Sequence, residues 1–147
     1  MRYITIALAK GRLARQTMGI LEKTGISCPE MEDKDSRKLI FTNEELGYRF
    51  FLAKANDVPT YVEYGAADIG IVGKDTIVEE NRKLYEMLDL DLGKCRMCVA
   101  GPVSARALLD SGAMIRVATK YPRIAKDYFN NILHILYYTE RMCFRQF

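Results

Sequence analysis

Residues 57–75, Asp-Val-Pro-Thr-Tyr-Val-Glu-Tyr-Gly-Ala-Ala-Asp-Ile-Gly-Ile-Val-Gly-Lys-Asp, decide the fold. The pattern predicts a helix that Asp57 caps and Gly65 ends. The segment 68–72 is too short and too β-branched for a helix, and its apolar faces predict a covered parallel strand. Gly73 then turns the chain at the carboxyl end of that strand. In open α/β sheets, ligands bind at this edge.

A second strand and turn lie at the start of the chain. Residues 3–8 predict a strand, which runs into Lys10, Gly11 and Arg12 and then into a helix over 13–24. Two cations around a glycine at a strand end suit a polyphosphate, because the backbone approaches closely and the helix dipole adds positive potential. A solvated turn is the alternative interpretation.

The rest of the chain continues the alternation of strands and helices. A second β-α-β unit starts after residue 92, so we predict a lobe boundary there. The apolar segment 132–138 fits either an extension of the preceding helix or a buried strand, and both stay open. The other predicted strands are 37–42, 48–53, 84–88, 95–100 and 114–119, and the further helices begin at Ser104 and Pro122.

Composition excludes several classes of protein. The hydrophobic fraction of 49% and charged fraction of 28% predict a soluble globular protein. No apolar run approaches the ~20 residues that span a membrane. The net charge of +3 is too small to indicate nucleic-acid binding. Because the amino terminus enters a strand without a secretory leader, we expect a cytoplasmic protein.

The cysteines are Cys28, Cys95, Cys98 and Cys143. Residues three apart on the predicted strand 95–100 point to opposite faces, so the C-x-x-C pair cannot share a metal there. His134 is the only histidine, which leaves no metal-binding set of familiar spacing. We therefore predict buried, reduced thiols and no metal site made by the protein.

Five sequence blocks together resemble one enzyme family. They are Ala-Lys-Gly-Arg-Leu at 9–13, Asp-Ser-Arg-Lys-Leu at 35–39, the 57–75 stretch, Leu-Asp-Leu at 88–90 with Gly-Lys-Cys-Arg at 93–96, and Ala-Thr-Lys-Tyr-Pro at 118–122. In this order and spacing they are similar to the catalytic subunit of short-form ATP phosphoribosyltransferase, the first enzyme of histidine biosynthesis. The resemblance covers residues 1 to about 130.

The resemblance implies an α/β fold with two lobes, like type II periplasmic binding proteins. Lobe one is expected at 1–92 and is incomplete, part of lobe two is expected at 93–131, and 132–147 is an aberrant tail. Members of the family continue with a loop that grips the 5-phosphate of phosphoribosyl pyrophosphate (PRPP), and these residues contain no such loop. We therefore expect a frameshifted or truncated end, and sheet edges left uncovered.

The implied reaction joins C1 of PRPP to N1 of ATP and releases pyrophosphate. Mg²⁺ on the substrate phosphates and arginines aimed at the pyrophosphate stabilise its developing charge. The resemblance assigns catalytic roles to Arg12 and Arg37, the triphosphate side to Lys10 and Gly11, the nucleotide pocket to Asp68, Gly70 and Gly73, and base stacking to Tyr121. Alternative roles are a surface residue for Arg37, a turn residue for Asp68 and a staple on the following helix for Tyr121.

The family also implies partners. The short form works with a regulatory subunit that resembles histidyl-tRNA synthetase, so a hetero-oligomer is expected, with neither nucleic acid nor membrane as a partner. An inactive remnant that at most binds nucleotide weakly is the alternative, because positioning of the 5-phosphate contributes much of the rate. A periplasmic solute-binding protein is disfavoured by the missing leader.

Overall fold

The computed structural model describes residues 2–31, 33, 36–111, 113–132 and 137–141. The chain divides into two compact units, Met1–Lys94 and Cys95–Phe147. Each unit contains a β-sheet with helices, so the predicted α/β class is confirmed. The lobe limits expected from the sequence stay a prediction.

A four-stranded sheet organises the first unit, in the order β2-β3-β1-β4. β1 runs parallel to both β3 and β4, and β2 runs antiparallel to β3. The strands are β1 (Ile4–Ala9), β2 (Ile40–Asn43), β3 (Tyr48–Ala53) and β4 (Ile69–Ile71), and the helices are α1 (Arg12–Lys23), α2 (Val58–Glu63) and α3 (Lys74–Glu80).

The larger core lies between the sheet and α1. Leu8 and Phe50 are fully buried, because alternate residues of a strand point to the same face and α1 covers that face. Ala14 and Met18 of α1 belong to the same cluster. Gly25, with φ +86°, follows the end of α1, where the left-handed conformation favours glycine.

The opposite face of the sheet packs against α2. Ala7 and Val58 are fully buried there, and Ala67 is nearly so. A Cβ atom added to Gly70 would lie 2.7 Å from Cγ2 of Val62 and 2.9 Å from Cγ1 of Val58. Glycine at position 70 therefore lets α2 lie directly on β4.

The second unit holds a two-stranded parallel sheet of β5 (Ile115–Thr119) and β6 (Tyr137–Arg141). α4 (Arg106–Asp110) precedes it, and α5 (Pro122–Asp127) leads into a π-helical turn at Tyr128–Ile132. The helix interpretation of 132–138 thus holds up to Ile132 and the strand interpretation from Tyr137, while 133–136 lie outside the described residues. No helix among the described residues is long and apolar enough to cross a membrane.

Two predicted strands are wrong. Segments 84–88 and 95–100 form neither strand nor helix, and Leu88 and Val99 are exposed. Strand propensity expresses packing against neighbouring strands rather than an intrinsic backbone preference. None of the strands in the described ranges pairs with either segment. An extended conformation would therefore give the apolar residues of these two segments no neighbouring strand to pack against.

The prediction that both faces of β4 are covered is also wrong for one face. Ile69 lies on the same face as its β1 partner Ile6, which is buried, but is itself 47% exposed. The parallel direction predicted for this strand is confirmed by its pairing with β1.

We predict that Gly70→Ala destabilises the first unit. The added methyl overlaps Val58 and Val62, and overpacking of this kind costs about 1–3 kcal/mol of unfolding free energy. Urea denaturation followed by circular dichroism measures the change. Gly19→Ala is the control, since a Cβ at that α1 position meets nothing within 4 Å and should stabilise by roughly 0.5–1 kcal/mol. Equal stability of the two variants would contradict the packing argument.

Candidate functional site

Each strand of the described sheet has a cationic residue within three residues of its end at one edge. β1, β3 and β4 end at this edge because they are parallel, and the antiparallel β2 begins there. Two backbone hydrogen bonds align the ends, from Lys10 N–H to the Ala53 carbonyl at 2.9 Å and from Leu52 N–H to the Leu39 carbonyl at 2.8 Å. These residues are Arg37 before β2, Lys54 after β3, Lys10 after β1 and Lys74 after β4.

The turn after β1 lies at Gly11, as the sequence predicts. Gly11 has φ +118°, a backbone conformation that is disfavoured for residues with a Cβ atom and that glycine adopts readily. It precedes α1, whose first residue is the exposed Arg12. Gly73 occupies the corresponding place before α3 and accepts backbone hydrogen bonds from Thr76 and Ile77. The structure thus brings Lys10, Gly11, Arg12, Arg37 and Gly73 to one edge.

A cleft of about 670 Å³ opens on the α2 face of the sheet and reaches this edge. One part of it is cationic, with Lys10, Lys54 and Arg49, and another is apolar and aromatic. The Phe51 and Tyr61 rings meet edge to face, with centroids 5.2 Å apart. The full lining is Thr5, Lys10, Leu39, Ile40, Arg49, Phe51, Leu52, Ala53, Lys54, Asp57, Tyr61 and Ala66.

Most cations at the edge have no acidic partner within the part of the chain that the structure describes. Among them, Lys74 pairs with Glu86 and Lys38 with Glu30. Lys10, Arg12, Arg37 and Lys54 form no ion pair with a described residue. Uncompensated positive charge around a cleft raises the local concentration of anions. The edge therefore suits a polyanionic ligand.

Asp68 lies away from this edge. It precedes β4, at the opposite end of the parallel strands. Its Oδ2 accepts a hydrogen bond from Thr5 N–H at 2.8 Å, and its Oδ1 one from Arg2 Nη2 at 3.1 Å. The Thr5 hydrogen bond, followed by the Arg2 interactions, lowers the pKa of the Asp68 carboxyl. The structure does not bring Asp68 together with Lys10, and the nucleotide contact expected for it stays a prediction.

Gly70 and Tyr121 are also placed apart from the edge residues. Gly70 lies within β4, paired with Ala7, where its observed role is close packing with α2. Tyr121 belongs to the second unit and precedes α5. Its N–H donates to Oγ1 of Thr119 at 3.0 Å, and the Lys120 ammonium lies 4.7 Å from its ring centroid. The ligand roles of both residues stay predictions.

Thiol placement differs from the expectation at two positions. Cys28 is buried, and burial raises the pKa of its thiol. Cys95 and Cys98 are exposed, so their predicted burial is wrong, because segment 95–100 is not a strand. Cys143 and His134 lie outside the described residues. Within the described ranges, no three or more His, Cys, Asp or Glu side chains gather where they could hold a metal ion.

Sequence reasoning missed several cleft residues. Lys54 follows a parallel strand directly, so the strand-end rule applied to β1 and β4 was enough to find it. The sequence predicts only a helix cap for Asp57, and this is wrong, since its side chain makes no capping hydrogen bond. Arg49 carries no local signal, because its exposure to the cleft depends on how α2 crosses the sheet.

Comparison with known proteins decides the family. Residues 54–137, more than half of the chain, match the family model described as HisG: ATP phosphoribosyltransferase. The chain belongs to the HisG family of ATP phosphoribosyltransferases. The family resemblance expected from the five sequence blocks is thereby confirmed.

Curated HisG relatives are closely similar over the length that they share with this chain. The ATP phosphoribosyltransferase of Lachnoclostridium phytofermentans is 75% identical over 134 residues, which are 91% of this chain and 62% of the relative. That of Lachnospira eligens is 73% identical, with the same coverage. The chain thus spans about three fifths of the length of these HisG proteins.

A solved structure shares the fold. The chain is similar to the ATP phosphoribosyl transferase (HisG:HisZ) complex from Thermotoga maritima, with a TM-score of 0.66, 23% identity, and coverage of 95% of this chain and 64% of the other. At this identity the likeness shows the fold alone. It confirms the predicted α/β fold of the type II periplasmic-binding-protein kind.

We predict that Asp68→Asn loses stability in a pH-dependent way. A carboxyl whose pKa is lowered by folding contributes stability above its unfolded pKa of about 3.9, and the contribution is lost as pH falls through the folded value. The urea midpoint of the variant should therefore lie below that of the wild type at about pH 6 and converge with it in acid. Glu22→Gln, at an exposed position of α1, is the control. A gap independent of pH would contradict the assigned role of the charge.

Proposed function

We propose that the chain acts in ATP phosphoribosyltransferase catalysis, in which the phosphoribosyl group of PRPP passes to N1 of ATP and pyrophosphate leaves. The observation that carries this proposal is the sheet edge where Lys10 and Lys54, which have no acidic partner among the described residues, border one cleft. Membership of the HisG family supports the same reaction. An edge of this kind would bind two polyanionic substrates. Holding the two substrates next to each other would supply much of the rate of phosphoribosyl transfer.

The residues at the edge would contact different phosphate groups, according to their positions. Lys10 and the Gly11 turn would hold the triphosphate, because an ammonium and a closely approaching backbone both contact phosphate oxygens. Arg12 and Arg37 would stabilise the charge that collects on pyrophosphate as the bond to C1 breaks. Guanidinium groups match phosphate oxygens in pairs, and donors aimed at developing charge act mainly on the transition state.

The cleft supports the placement of a nucleotide base as well. Its apolar part, with Phe51 and Tyr61, offers the aromatic surface that a purine ring packs against. Gly73 would let the substrate approach the backbone closely at the end of β4. Tyr121, which belongs to the second unit, would stack on a base. Gly70 would act indirectly, by holding α2 in place, and Asp68 by holding the start of β1.

Mg²⁺ is the cofactor that we propose, carried on the substrate phosphates. It usually keeps several waters and takes only one or two carboxylates besides phosphate oxygens, so it needs no cluster of protein ligands, and the described residues contain none. When bound, the ion neutralises part of the charge on the departing pyrophosphate.

We further propose a cytoplasmic hetero-oligomer with a regulatory subunit that resembles histidyl-tRNA synthetase. Its support is the fold likeness to a chain solved as a HisG:HisZ complex. The lobe limits proposed are 1–92 and 93–131, near the change of compact unit after Lys94.

The deciding experiment measures substrate binding and product formation in parallel. The chain is titrated with MgATP and with PRPP by calorimetry, and the same preparation, with and without the regulatory subunit, is assayed for pyrophosphate that requires both substrates. We expect the chain to bind both MgATP and PRPP and to release pyrophosphate only when both are present. Binding of MgATP without release would favour the inactive nucleotide-binding remnant, and absence of binding would contradict both.

We predict that Arg12→Gln and Arg37→Gln each weaken the binding of inorganic pyrophosphate by roughly 10–100-fold, since a hydrogen bond to a charged group contributes about 1.5–3 kcal/mol. Calorimetric titration with pyrophosphate measures the effect. Arg15→Gln, at an exposed position on α1, removes the same charge outside the site and should change the affinity little. Similar losses in all three variants would indicate a general charge effect and would count against the assigned roles.

A further inference from the structure

Asp57 is an acidic residue in the lining of the cationic cleft. It lines the cleft and is exposed. Its backbone N–H donates to the Lys54 carbonyl at 3.0 Å, which places the two residues one 3-10 turn apart. Although Asp57 precedes α2, its side chain makes no capping hydrogen bond. Its carboxylate forms no ion pair or hydrogen bond with any residue that the structure describes.

A carboxylate in this position conflicts with the binding of a bare polyphosphate. Lys10 and Lys54 line the same cleft and attract phosphate oxygens, whereas the Asp57 charge repels them. A divalent cation between the carboxylate and the phosphates converts that repulsion into two attractions. Mg²⁺ sites in phosphate-binding proteins have this composition, with one or two carboxylates, phosphate oxygens and retained waters.

We propose that Asp57 is the protein's contact to the divalent cation that accompanies the substrate polyphosphate, and that it makes the cleft select the metal-bound nucleotide. The inference rests on the proposed function, since it concerns the same cleft. The ammonium groups of Lys10 and Lys54 hold oxygens that the cation leaves free, and the Asp57 carboxylate faces the cation or one of its waters. Asp57 is thereby a specificity residue for the charge state of the ligand.

The sign of the effect separates this role from general electrostatics. A cationic surface without Asp57 favours free ATP over MgATP, because Mg²⁺ removes two negative charges from the ligand. A cleft in which Asp57 contacts the cation favours MgATP. Removal of the Asp57 charge therefore reverses or abolishes the preference for MgATP over free ATP. A loss of folding would instead weaken the binding of both forms equally.

The test is calorimetric titration of the full chain with ATP in excess Mg²⁺ and in EDTA. We expect the wild type to bind ATP about tenfold more tightly with Mg²⁺, and Asp57→Asn to bind both forms equally or to favour free ATP, a change that corresponds to about 1.4 kcal/mol. Glu22→Gln is the matched control and should keep the wild-type ratio. Asn and Ser are both good residues before a helix, so Asp57→Ser provides a second variant with the same expected result.

A direct readout of the ion completes the test. Mn²⁺ bound to the complex of protein and ATP raises the water proton relaxation rate, and its affinity should fall about tenfold in Asp57→Asn. An unchanged Mg²⁺ ratio and Mn²⁺ affinity in the folded variants would overturn the Asp57 assignment and leave the proposed function standing. Absence of ATP binding to the wild type in both buffers would overturn the proposed function itself.

Discussion

The parallel pairing of β1 with two neighbours is the constraint on which the site depends. Leu8 is in register with Leu52 of β3 on one side and with Ile71 of β4 on the other. Because the three strands share one direction, their carboxyl ends open at one edge, and the residues that follow them are brought together. A strand in β1's place with the opposite direction would send Lys10 and Arg12 to the edge where Asp68 lies.

Packing of α2 onto the sheet completes the cleft. The helix lies close to the strands because small residues face it, with Ala7 and Ala67 buried and Gly70 leaving no room for a side chain. This contact sets where α2 starts and where its side chains lie, with Asp57 beside Lys54 and Tyr61 against Phe51. The charge balance of the cleft is thus a consequence of helix-on-sheet packing, whose density leaves little freedom for alternative placements.

The predictions that succeeded rest on local rules. The strand at 4–9, the turn after it and the helix from Arg12 follow from periodicity and from the glycine between strand and helix. The strand of residues 69–71 and its parallel direction follow from its short apolar run between two helices. Each of these needs only a window of neighbouring residues, in which the physical preference is strong and unopposed.

The predictions that failed concern what lies next to a segment in space. Segments 84–88 and 95–100 have strand-like composition but find no partner strand among the described residues, and Cys95 and Cys98 are exposed for the same reason. Sequence by itself determined β1, β3, β4, α1 and α2, the strand-end glycines and the family, because these reside in short motifs. Only the tertiary structure decided that Asp68 holds the start of β1, that Lys54 joins the site and that the Asp57 carboxylate has no partner among the described residues. Strand order and helix packing bring distant residues together, and a local pattern does not encode those distances.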